Sequence, residues 1–155
     1  MVRHGVLFTL LAAALLASTV APAAAANACK PTPTDAFGPF GRGMPPQRAK
    51  IGAGHVLTGV ILSALDCKPL ARARVELWQA AKNGKYTRAS SATVITDRAG
   101  RFRFEGPYPT RYSSGPAHIH MRVSAPVHEQ LLTRYVPAPG ARRGTIRLVL
   151  APQAL

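Results

Sequence analysis

From Ala53 to the C-terminus the chain is a succession of short β-type runs, each stopped by Gly, Pro, Asn or Asp before a long helix could form. Residues 55–63 are rich in Val, Leu and Ile, and 65–69 turn the chain. Residues 73–80 carry Val75, Leu77 and Trp78, and Asn83-Gly84 is a hairpin signal. Residues 93–96 form a β-branched run and 97–100 a turn. Arg101-Phe102-Arg103-Phe104 alternates, so one face is apolar and the other basic. Runs at 118–123, 131–136 and 145–150 complete a set of about seven strands, the spacing of an all-β sandwich or barrel. The expected fold is therefore a single-domain β-sandwich over 53–155, with Trp78, Phe102 and Phe104 in its core.

What precedes it reads differently. Arg3 and His4 open a basic start, 5–20 is an apolar run, and Ala-Pro-Ala-Ala-Ala-Ala-Asn-Ala follows. This pattern predicts a cleaved signal peptide over 1–26, too short for a membrane anchor, and a secreted or periplasmic protein. Cys29 after Ala28 also permits a lipoprotein reading, which Ala26 and Asn27 count against. No later segment is apolar enough to form a transmembrane helix. Residues 27–52 are rich in Pro and Gly and read as an extended arm.

The net charge is +14, from 20 Lys and Arg against 6 Asp and Glu. It serves solubility or draws anionic partners: aromatic acids, acidic polymers or a membrane surface. Nucleic acid is not expected of an exported chain that lacks a nucleic-acid motif. Cys29 and Cys67 are the two cysteines, and in an oxidising compartment they read as one disulfide, with two buried thiols as the alternative.

The chemistry concentrates in Gly115-Pro116-Ala117-His118-Ile119-His120. Residues i and i+2 of a strand share a face, so His118 and His120 project together and can chelate a metal. A bare His-x-His is more often a hydrogen-bonded pair. Tyr112 precedes it by six residues, and Tyr86 follows Asn-Gly-Lys. Phenolate is a hard anionic donor that suits a small trivalent cation, whose field deprotonates it at neutral pH.

Several segments, in order, resemble the intradiol ring-cleavage dioxygenases. They are Cys29-Lys-Pro-Thr-Pro-Thr-Asp35 with Gly38-Pro39-Phe40, Cys67-Lys-Pro-Leu, Glu76-Leu-Trp-Gln-Ala80, Gly84-Lys-Tyr86, Thr96-Asp97 with Gly100-Arg-Phe-Arg-Phe104, and Pro116-Ala-His-Ile-His120. The resemblance implies a prealbumin-like sandwich with ferric iron, Fe(3+), held by Tyr86, Tyr112, His118 and His120. It implies insertion of dioxygen into a small catechol-type aromatic diol to give a muconate-type diacid. Tyr112 would leave the metal as the diol binds and take a substrate proton. Tyr108, in Gly-Pro-Tyr-Pro, is the alternative ligand; spacing from Phe104 and His118 favours Tyr112. Gly115 stands where the family has arginine, Gly41 where tyrosine usually follows Gly-Pro-Phe, and Arg134 where the family has glutamine after threonine. Arg134 is thus either a solvated strand residue or a cation that replaces the missing one. A non-catalytic secreted sandwich binding iron or aromatic acids is the alternative reading, and the oligomeric state, including a homo-oligomer, stays open.

Overall fold

The computed structural model describes residues 30–35, 43–111 and 115–154. The 1–26 leader, Cys29, the Gly38-Pro39-Phe40 motif, Gly41 and Tyr112 lie outside the described residues. Seven strands follow in order: β1 (His55–Ser63), β2 (Arg74–Trp78), β3 (Ser91–Ile95), β4 (Arg101–Gly106), β5 (Ile119–Ser124), β6 (Leu131–Tyr135) and β7 (Arg143–Leu150). They form a three-stranded sheet, β4-β1-β7, and a four-stranded sheet, β3-β2-β5-β6. Among these seven strands of the described residues, β1 and β7 alone pair in parallel. The expected all-β sandwich is the fold observed.

Alternation drives the layering. Burial along β1 strictly alternates, which sends Leu57 and Ile61 inward. Phe102, Phe104, Leu148 and Leu150 join them from the same sheet. Val75, Leu77, Ala92, Ile119, Met121, Val123 and Leu131 face them from the other. Gly59 lies in the inward row because a Cβ there would sit 2.4 Å from the Phe102 ring.

Trp78 is buried as expected, but on the other side of its sheet from this core. Leu77 pairs with Ala92 and Met121 inside, whereas Trp78 pairs with Ser91 and His120 on the outer face. Asn83-Gly84 does turn the chain, with Gly84 N–H donating to the Ala81 carbonyl. The turn is not a tight hairpin tip, however. β2 and β3 pair antiparallel across the whole 79–90 connection, which also holds a 3-10 turn at Arg88–Ser90.

The described parts of the arm, 30–35 and 43–52, hold no helix or strand and only isolated bridges. The Asp35 N–H donates to the Leu132 carbonyl on β6, and the Thr32 N–H to Val149 on β7. On the opposite side, Thr93 N–H and Oγ1 of edge strand β3 donate to Pro46 and Pro45 carbonyls. The Ile51 N–H then donates to the Glu105 carbonyl on edge strand β4. The arm therefore satisfies strand edges on both open sides of the sandwich.

Candidate metal centre

β5 begins at Ile119, so His118 stands just before the strand and His120 within it. Both rings are buried. His118 Nδ1–H donates to the Pro116 carbonyl at 2.7 Å, which fixes the tautomer and leaves Nε2 with a lone pair. That lone pair points at His120 Nε2, 2.9 Å away, and the two rings are almost perpendicular at 88°. Two imidazole nitrogens so placed can share a proton or hold one cation between them. Burial, and then the neighbouring His118, push the His120 ring from 6.5 down to about 4, so it is neutral at neutral pH. A neutral imidazole is the form that ligates a metal.

The strand register builds the rest. His120 is directly opposite Trp78 on β2 and Arg134 on β6, so all three share the outer face of the four-stranded sheet. The Tyr86 ring, delivered by the 79–90 connection, lies 5.6 Å from the His120 ring, and its hydroxyl is buried. Tyr86 and Trp78 also wall a cavity of about 150 Å³ with Gly43, Met44, Pro45 and Arg88. Below Trp78, Arg122 donates from Nε to Glu76 and its guanidinium lies 5.1 Å from the Trp78 ring centre.

Three of the four expected ligands, Tyr86, His118 and His120, are thus brought together; the fourth, Tyr112, is outside the described residues. Tyr108 is engaged elsewhere. Its hydroxyl donates to the Ala138 carbonyl at 3.1 Å and its ring packs edge-on against His55. Arg134 Nε donates to Asp35 Oδ2 at 2.7 Å. A Cβ on Gly115 would meet nothing within 4 Å, so space is open where an arginine would stand. Asp35 is the residue that sequence reasoning missed as a partner. Its signal was an acidic residue within the Pro-Thr-Pro-Thr-Asp motif of an otherwise basic arm.

No group of three or more His, Cys, Asp or Glu that could hold a metal occurs among the described residues. The third donor here is a phenol. Two imidazoles and a buried phenol fit a hard, trivalent cation better than zinc or copper(I).

Comparison with known proteins gives the family. A family model described as Dioxygenase matches residues 42–138. Catechol 1,2-dioxygenase of Acinetobacter baylyi is 33% identical over 111 residues, covering 52% of this chain and 35% of that protein. The chain thus spans about a third of the length of the curated relatives it matches. The dioxygenase domain of a dioxygenase carbohydrate-binding protein fusion from Streptomyces sp. SirexAA-E superposes with a TM-score of 0.69 at 24% identity, covering 80% of this chain and 100% of that one. An intradiol ring-cleavage dioxygenase from Tetranychus urticae gives 0.70 at 18% identity, covering 81% and 97%. At those identities the likeness is one of fold.

Proposed function

The chain belongs to the intradiol ring-cleavage dioxygenase family, and from that premise we propose that it is a ferric enzyme that opens catechol-type diols to muconate-type diacids. Tyr86, His118, His120 and Tyr112 would hold the iron. The single observation that carries this reading is the 2.9 Å approach of two buried imidazole nitrogens beside the Tyr86 ring. When bound, the ferric ion supplies Lewis acidity and redox access to the ring, so that both atoms of dioxygen end in the two new carboxyl groups.

The protein's own part is positioning and charge. His118 is locked by Pro116, and His120 is kept neutral by burial. Trp78, Met44 and Pro45 wall the adjoining cavity, where an aromatic ring can be oriented and water excluded. Tyr112 would take a proton from a substrate hydroxyl. Arg134, opposite His120, would supply the positive charge that Gly115 lacks.

Purified protein made with ample iron should carry about one ferric ion per chain, be tinted by phenolate-to-ferric charge transfer, and consume oxygen with catechol. Zinc, or no metal, would sink the proposal. Iron and tint without oxygen uptake would leave a binder in place of an enzyme. The signal-peptide reading makes this an exported activity, and N-terminal sequencing of the mature chain beginning near Asn27 or Cys29 tests it.

A further inference from the structure

The outer face of the β4-β1-β7 sheet is distant from the histidine pair, on the opposite side of the sandwich, and no function is yet attached to it. The register defines it row by row. Arg101, Val60 and Arg147 form one row, Arg103, Thr58 and Thr145 the next, and Glu105, Val56 and Arg143 the third. The four arginines are exposed. At about 4.8 Å between strands and about 3.4 Å per residue, they frame a flat patch of about 10 by 13 Å. Glu105 is the one carboxylate in these rows, and it is already paired with Lys50 at 2.9 Å and Arg103 at 3.0 Å. Asp97, at the rim, is occupied by the backbone N–H groups of Ala99 and Arg101. The field of the face is therefore strongly positive.

We propose that this face docks a linear, carboxylate-bearing polysaccharide, a polyuronate, through Arg101, Arg103, Arg143 and Arg147. Guanidinium groups take carboxylates through paired N–H donors. The exposed Thr145 hydroxyl between the arginine rows, 3.2 Å from Thr58 Oγ1, offers sugar hydroxyls a partner. A depression of about 580 Å³ adjoins the face between Arg101, Arg103 and Thr145 on one side and Val94 and Ile95 of β3 on the other. The other polyanions fit less well. Phe102 and Phe104 are almost fully buried, so neither ring offers a platform for bases. A flat sheet face presents no element that enters a duplex groove. The exposed large apolar side chains among the described residues, Met44, Leu65, Val127 and Val136, are all elsewhere, so the rows of this face carry none that would insert into a bilayer. Docking here would leave the histidine face open to small molecules. The inference does not depend on the chemistry proposed for that other face.

The test is retention of the full chain on polygalacturonate beads, with a fully methyl-esterified polymer as the neutral control. Retention on the acidic polymer, weakened by salt and reduced by about tenfold or more in R101E/R147E, is expected. K82E/K85E makes the same change in net charge in the 79–90 connection and should lose far less. R101Q/R147Q, with an unfolding midpoint equal to the parent's, should also lose retention, which separates binding from folding. Equal losses in the Arg and Lys doubles would overturn the proposal, because net charge alone would then explain retention. So would no retention of the folded parent, or stronger arginine-dependent binding to duplex DNA or phosphatidylserine vesicles than to the polyuronate.

Discussion

Arg134 reaches Asp35 through a 2.7 Å hydrogen-bonded ion pair while standing directly across the strand from His120. The Arg134 side chain is 44% exposed, and such pairs contribute about 0–1 kcal/mol. The guanidinium can therefore be drawn toward a negatively charged substrate at little cost. Arg134→Gln should lower turnover about 10²-fold with iron retained, and adding Gly115→Arg should restore part of it. Asp35→Asn should affect turnover less, since it frees the cation without removing it. Turnover indifferent to Arg134, together with a large gain from Gly115→Arg alone, would make Arg134 only a strap for the arm. Iron is measured in each variant, because a lost metal mimics a lost charge.

The positions of the tyrosines give a second expectation. Tyr86→Phe should abolish the visible band, and Tyr112→Phe should abolish the response of that band to catechol. Tyr108→Phe removes only the hydrogen bond to Ala138, worth about 0.5–1.5 kcal/mol of stability, and should leave iron and tint intact. Absorption spectra and iron content of the three variants decide it. Loss of tint in Tyr108→Phe alone would move the fourth ligand to that residue.

Much of this was readable in the sequence because strands carry a period of two. The alternation in β1 and in Arg101-Phe102-Arg103-Phe104 states which side chains face the core, and His-Ile-His states that two imidazoles share a side. Which side was not readable. That depends on the pairing of His120 with Trp78 and Arg134, a long-range register that puts Trp78 outside the inter-sheet core and beside the histidines. The Asp35–Arg134 pair was hidden for the same reason: its partners meet only because the arm runs along β6. Asn83-Gly84 misled about the hairpin because local turn chemistry does not report how far the flanking strands remain unpaired.

Cys67 is not a free thiol, and it sits at a left-handed φ of 59° in the turn after β1. A bridge to Cys29 would tie the start of the arm to that turn. The oxidised chain should contain no titratable thiol, and reduction should lower stability by about 3–4 kcal/mol in the chain-entropy model. Mass spectrometry that finds both cysteines alkylated without reduction would refute the bridge.

The support beneath Trp78 is itself open to test. Glu76 and Arg122 are cross-strand partners joined by a charge-assisted hydrogen bond, with side chains 3% and 18% exposed. Glu76 Oε1 is buried without a hydrogen-bond partner, so the carboxylate leans on Arg122. Removing one member of such a pair strands a charge, whereas replacing both by apolar groups relieves the desolvation cost of each. Arg122→Met should therefore cost about 3–5 kcal/mol. The double variant E76L/R122M should cost less than R122M alone, a non-additivity that a double-mutant cycle by urea unfolding reads directly. The double variant also removes the guanidinium from the Trp78 ring. If that stacking holds Trp78 beside His120, iron affinity should fall in E76L/R122M even where stability recovers. Recovery of both together would mean that the ion pair serves folding only, and that Trp78 is held by its neighbours in the sheet.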